Sequence, residues 1–401
     1  VMPDQEIFQP QNPEFVRDPY TVYKHLREND PVHQTAAGMW VISKYDDVMS
    51  GLKDVRLSNA PAPFALVNRR NAERHFAAKV ANGLIAFMDP PDHLGPRRLI
   101  AGACTAFFKQ NEQLVQEVSD NLMAQLRDRP QIEFVEDFAM PFATQCICRM
   151  MGFPESDVER LKEWSGWFFY LFHAIPNDQV LQEVNRALEE FRAYVQDHVA
   201  ARRKAPGDDL LSLLIAARRG DESLSEQEII DNAMLLTADG IENVWAGLAT
   251  AVYTLLRHPD QLDRVIRDES LVPAAVQECL RFESPGQYQG RIAKETLEIG
   301  GKTIKTYSVV LLLLASANRD ATVYPDPERF DVGREGPRNV AFGAGRHACI
   351  GGMLVEIEFS AAFRTLFRTP GIELKPPAEV EWATRAGHRW PARLPLEIKR
   401  V

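Results

Sequence analysis

Apolar residues recur three and four apart from about residue 95 to 285, the period of helices with one buried face. "NEQLVQEVSDNLMAQLRD", "EVNRALEEFRAYVQDHVAARRK" and "DQLDRVIRDES" are clear cases. Before that stretch a helix ("DPYTVYKHLREND"), strand-like pieces ("MWVISKY") and another helix ("DDVMSGLKD") alternate. After residue 285 the texture turns to short β-like runs and Pro/Asp-rich turns, then a last helix, "GGMLVEIEFSAAFRTLF". The pattern predicts a mainly α chain with smaller β regions near residues 30–60, 285–315 and 370–401. With no repeat, linker or low-complexity stretch, residues 1–401 read as one domain around a helix-rich core at 95–285.

One predicted helix stands out. Ser225 and Glu228 form a capping box at its start, and no proline interrupts it before Pro259. About 30 residues at 1.5 Å each span roughly 45 Å, enough to cross the domain. Leu235, Leu236, Ile241, Val244, Trp245 and Leu248 make it apolar on nearly all sides, so it is central and buried. Yet "LLTADGIENVWAG" places Asp239, Gly240, Glu242 and Asn243 at its middle.

Composition excludes more than it proves. The net charge of −10 argues against general nucleic-acid binding. No apolar run reaches the roughly 20 residues that cross a bilayer, and "VMPDQEIFQPQNPEF" lacks a signal-peptide core, so a cytoplasmic protein is expected. Five cysteines at irregular spacing give no disulfide framework, and Cys104, Cys146, Cys148 and Cys279 read as reduced core residues.

Cys349 differs. Gly343, Gly345 and Gly351 bracket it at the start of the last helix. Glycines let amide donors approach the sulfur, and the helix points its positive end toward it. Both effects are expected to lower the thiol pKa. A thiolate there could be a nucleophile, a metal ligand or a redox sensor. The nucleophile option lacks an oriented base, since His347 lies on the same loop with no second acid placed. A single thiolate on a glycine loop leaves room for a large planar cofactor.

The order Phe342-Gly343-x-Gly345-x-His347-x-Cys349-x-Gly351 resembles the haem-binding signature of the cytochromes P450. "MDPPDHLGPRR", "ECLR" and "ANRD…YPDPERFD" match further segments of that family in order, and the likeness spans nearly the whole chain. It implies the P450 fold, a triangular prism with a long central helix over a haem. It also implies haem b with Cys349 as the axial thiolate ligand. His93, Arg97, Arg291 and His347 would hold the two propionates, anions that need charged or polar donors. Phe342 would shield the sulfur, and Ala238 would lie against the cofactor. Glu278 and Arg281 would be a structural pair completed by Arg329 or Arg334, with Arg334 favoured.

The resemblance also passes the central helix over the iron, where the family usually has an acid followed by threonine. Here Glu242 holds the acid position, Asn243 replaces the threonine, Gly240 keeps the glycine, and Asp239 replaces a small residue. Dioxygen cleavage consumes two protons. An amide anchors water but relays protons poorly. Burial is expected to raise Glu242 and suit it as proton source. Asp239 could bond Asn243 or a water and share the relay, meet a polar or cationic group of the substrate, or satisfy backbone where the helix opens at Gly240. A substrate hydroxyl could also complete the relay.

The family uses variable segments for specificity, here "APAPFALVNRRNAERHF", "EWSGWFFYLFHAIP", the helix around Leu235 and Ala238, "SPGQYQG" and "RAGHRWPARL". The second is dense in aromatics, which helix packing and a lid over an apolar substrate would share. The resemblance implies a monomer that hydroxylates or epoxidises a small, largely apolar or aromatic secondary metabolite such as a polyketide, free or tethered to a carrier protein. Electrons would come from a ferredoxin and ferredoxin reductase, docking near Arg346, Lys109, Arg338 or Arg364. Phenol coupling, desaturation or peroxide-driven chemistry is the alternative, and a non-catalytic haem sensor is a third.

Overall fold

The computed structural model describes residues 7–385 and 387–400, so the first residues of the stretch read for a leader, and Ala386, lie outside it. The helix-rich stretch is as the periodicity predicts, with helices Leu94–Gln110, Glu112–Leu126, Met140–Met151, Val158–Phe168 and Asp178–Lys204 among its members. They share one apolar core, in which Phe134, Phe138, Phe142, Phe168, Phe191, Phe359 and Phe363 are wholly or almost wholly buried.

Through this core runs the helix Glu226–Leu256, 31 residues long. Its capping box is formed: Glu228 N–H donates to Ser225 Oγ at 3.2 Å, and Ser225 N–H to Glu228 Oε2 at 2.7 Å. It packs against Met140–Met151 and Val158–Phe168 and touches the strand His388–Pro391. Contrary to the expected opening at Gly240, the helix is uninterrupted. The glycine serves close packing instead: a Cβ there would come within 2.9 Å of Ile147 Cδ1. Close approach of the Ile147 side chain, not backbone rupture, explains it.

The β regions lie where predicted. A five-stranded sheet runs in the order Val32–Gln34, Trp40–Ile42, Val309–Leu312, Gln289–Ala293, Leu57–Ser58. Trp40–Ile42 and Val309–Leu312 pair in parallel, which joins the two distant β regions. A hairpin, Trp382–Arg385 with His388–Pro391, carries Thr384 opposite Arg389 and reaches the central helix. The strand Gln131–Glu133 was not expected in the helical stretch. It exists because Ile132 pairs with Leu396 on Pro395–Arg400, a partner local periodicity cannot reveal. Among the described residues, no helix is long and apolar enough to cross a membrane.

Candidate active site

The cysteine loop is closed by its own backbone. Cys349 N–H donates to the Phe342 carbonyl at 2.9 Å. Gly343 and Gly345 adopt φ of 65° and 71°, the left-handed region that favours glycine. At Gly345 a Cβ would also stand 3.1 Å from the Leu52 carbonyl, so the loop lies tight against that turn. The Phe342 ring rests against Gly352, where the last helix, Gly352–Arg368, begins. As the sequence suggested, the amides of Gly351 and Gly352 donate toward the sulfur.

Their effect is outweighed. Burial, reinforced by the charge of Asp239, pushes the Cys349 thiol up to about 11, against the expected lowering. Two amides and Arg97 do not offset desolvation in a low-dielectric site, whereas a cation bound at sulfur would. Cys349 nevertheless carries accessible surface. A thiol surrounded by protein yet accessible faces an interior space, not bulk solvent. The other four cysteines are free and buried, as expected.

Five basic side chains converge beside it. The His93 and His347 rings lie 4.2 Å apart. Burial and the neighbouring guanidiniums press His93 down to about 4 and His347 to about 3. Neither ring nitrogen of His93, nor Nε2 of His347, has a hydrogen-bond partner. Arg291 is buried, and desolvation with Arg346 lowers it to about 10; it bonds only the Gly290 carbonyl and Gln289. Arg97 donates to the Ala348 carbonyl. Arg346, which the sequence placed on the docking surface, instead turns in and donates to the carbonyls of Lys53, Asp54 and Leu57. None of the three arginines has a carboxylate partner among the described residues. Orphaned imidazole nitrogens and guanidiniums without carboxylate partners, that of Arg291 buried, call for anions, and the two propionates of a haem fit them. Among the described residues no group of three or more His, Cys, Asp or Glu could chelate an ion. A cofactor that brings its own ring nitrogens needs only the one thiolate that Cys349 offers.

On the central helix the polar residues divide. Asp239 and Asn243, one turn apart, share a face. The charge of Asp239 acts on the Cys349 thiol, which places that face toward the interior space. Asp239 does not bond Asn243, and neither side chain has a hydrogen-bond partner among the described residues. Ala238 is covered by protein on all sides, while Asp239, Gly240 and Asn243 keep accessible surface.

Glu242 points elsewhere. It is buried, but Arg385 of the hairpin donates to its Oε2 at 2.5 Å. The sequence reading had not provided for a cationic partner at this acid. The Arg385 guanidinium is held 4.7 Å from the Phe169 ring centroid and 5.6 Å from that of Trp390. Glu242 and Arg385 form the floor of an open cavity of about 650 Å³, shared with Met140, Trp167, Tyr170 and Trp245. The aromatic segment splits accordingly: Trp164, Phe168 and Phe169 pack in the core, while Trp167 and Tyr170 line the cavity. Arg385 was missed as an individual residue. Its only signal was its place in "RAGHRWPARL".

The structural pair is complete. Arg281 grips Glu278 with two bonds of 2.7 and 2.8 Å, and Arg334 adds a third contact at 3.2 Å, as favoured. Arg329 pairs with Asp331 instead. The expected docking patch is thinner than its sequence, because Arg338 pairs with Glu356 and Arg364 with Glu269, leaving Lys109 without an ion pair among the described residues.

Comparison with known proteins gives a consistent likeness. The family model described as Cytochrome P450 matches residues 22–381. The biotin biosynthesis cytochrome P450 of Bacillus subtilis is 32% identical over 394 residues, 96% of this chain and 98% of the relative. The 6-deoxyerythronolide B hydroxylase of Saccharopolyspora erythraea is 33% identical, covering 89% of this chain and 90% of its own. Among solved structures, P450BioI in complex with an acyl carrier protein ligated to hexadec-9Z-enoic acid superposes with a TM-score of 0.88 at 30% identity, covering 96% and 99% of the two chains. CalO2 gives 0.90 at 29% identity, with 98% and 99% covered.

Proposed function

The chain belongs to the cytochrome P450 family, monooxygenases that bind haem through a cysteine thiolate, and from that premise we propose how this member uses its residues and on what. The substrate is a small, largely apolar or aromatic secondary metabolite such as a polyketide, hydroxylated or epoxidised with O2. Electrons come from a ferredoxin and its reductase. Carrier-tethered delivery is supported by the relative solved with its acyl carrier protein.

The observation that carries this reading is the thiol of Cys349 facing the same interior as five unbalanced basic side chains. Cys349 would ligate the haem iron. His93, Arg97, Arg291 and His347 would hold the propionates, with Arg346 beside them. Gly343, Gly345 and Gly351 shape the loop, and Phe342 caps it. When bound, the haem supplies dioxygen activation. Glu242 takes protons from the open cavity and passes them inward, and Arg385 orients its carboxylate. Asn243 anchors a water on the inner face, and Gly240 lets the helix approach Ile147.

Reduction under carbon monoxide tests the core of this. The purified protein should show the red-shifted Soret band of thiolate ligation, and Cys349→His should lose it. Protein that takes up no haem would overturn the reading.

A further inference from the structure

Among the described residues most buried carboxylates face a cation, and Asp320 instead accepts from the Tyr45 and Thr322 amides and the Thr322 hydroxyl. Glu242 faces Arg385, Glu278 faces Arg281 and Arg334, Asp231 faces Arg192, and Asp209 faces Arg202. Asp239 and Glu358 face no cation. Glu358 is sealed at 1% exposure with Oε2 unbonded, so nothing from outside the chain reaches it. Asp239 is equally enveloped by protein, and burial is the only influence on its ionisation, raising it to about 7. It differs from Glu358 in keeping accessible surface, and it lies near enough to Cys349 for its charge to act on the thiol. Asn243, on the same face, is also without a partner. Unmatched polar groups that only an interior space can reach are placed to be matched by what enters it.

We propose that Asp239, with Asn243 one turn on, is the polar anchor of the substrate: its carboxylate accepts a hydrogen bond from a hydroxyl or ammonium group and so fixes which end of the molecule lies deepest. The assignment rests on the haem-thiolate reading above. It gives this member selectivity for substrates with a donor at one end. A site built to bond a donor rejects the analogue that lacks it, because its own acceptor is then left buried and unpaired. Asn243 contributes both an acceptor and donors, so it can hold the same group from its other side.

Ligand binding to the haem-loaded full chain tests this without turnover. The probes are decan-1-ol, its methyl ether and N,N-dimethyldecylammonium, whose single N–H can donate, with 1-adamantanol and 1-methoxyadamantane as a bulkier pair. Dissociation constants are measured by calorimetry. Native protein should bind at least one alcohol about tenfold or more tighter than its ether, and the ammonium tighter than decanol. Asp239→Ala should abolish both preferences while changing affinity for the ethers by less than about twofold. Asp239→Asn, which keeps an acceptor without charge, should lose the ammonium preference first. Equal affinities in native protein, preferences that survive in Asp239→Ala, or no binding by any probe would each overturn the anchor. The carbon-monoxide band of every variant separates this from failure of the haem-thiolate reading, which would remove the band from native protein too.

Discussion

Arg385 and Glu242, 143 residues apart in the chain, form one ion pair between the hairpin and the middle of the central helix. The carboxylate is 7% exposed and the guanidinium 28%. Arg385→Ala leaves a buried charge without its partner. Breaking a fully buried pair costs about 3–5 kcal/mol, and partial exposure of the guanidinium reduces this to about 1–3 kcal/mol. Denaturant unfolding should show that loss, with Arg385→Lys falling between.

Glu242→Gln keeps shape and hydrogen bonding but removes the transferable proton. Product formed per electron consumed should fall about tenfold or more, with peroxide rising in proportion. Oxygen and NAD(P)H consumption assayed beside product gives the ratio. An unchanged ratio would remove Glu242 from proton delivery.

Glu278→Ala should be among the most damaging substitutions in the chain. It strips both guanidiniums of Arg281 and Arg334 of their carboxylate, at side-chain exposures of 3% and 13%. A loss of about 3–5 kcal/mol is expected in unfolding experiments. With Glu278 in place, Arg281→Lys should also destabilise, because a single ammonium cannot reproduce the paired bonds and the carbonyl contacts to Asn318, Pro327 and Arg329.

Glu358 predicts a pH dependence. Burial raises its carboxyl well above the usual range, so the folded protein holds a proton that the unfolded chain releases. Its stabilising contribution is whole below the unfolded value near 4.5 and declines as pH rises toward the folded one. Glu358→Gln should therefore gain stability relative to native protein between pH 5 and pH 8, read from unfolding midpoints across that window. A constant difference would mean Glu358 is charged in the fold.

Gly240→Ala sets two effects against each other. Alanine favours helix by up to about 1 kcal/mol, but crowding of Ile147 costs about 1–3 kcal/mol, so the variant should be less stable. Ile147→Val removes the Cδ1 atom that makes the closer contact at 2.9 Å and should recover part of the loss in the double variant. Thermal unfolding of the four proteins closes the cycle.

Local pattern carried much of this molecule. Ser225 and Glu228 announce the start of the central helix, and three- and four-residue spacing finds its neighbours. The glycines around Cys349 announce a tight loop because positive φ has few other occupants. What local pattern could not carry is pairing across the chain. Arg385 with Glu242, Ile132 with Leu396, and Arg364 with Glu269 join segments 95 to 264 residues apart. Nor could it weigh burial against donors at Cys349, since the amides are legible in the glycines but the desolvation depends on everything packed around them.

Arg97 reaches the Ala348 carbonyl across 251 residues. A ribosome adding ~5–20 residues per second takes roughly 13–50 s to make the chain between them. Throughout that interval His93 and Arg97 exist without His347 or Cys349. The cofactor pocket is thus among the last features of the newborn protein to be assembled, and cells short of haem at that moment would be left with a nearly finished chain whose basic cluster has nothing to close on.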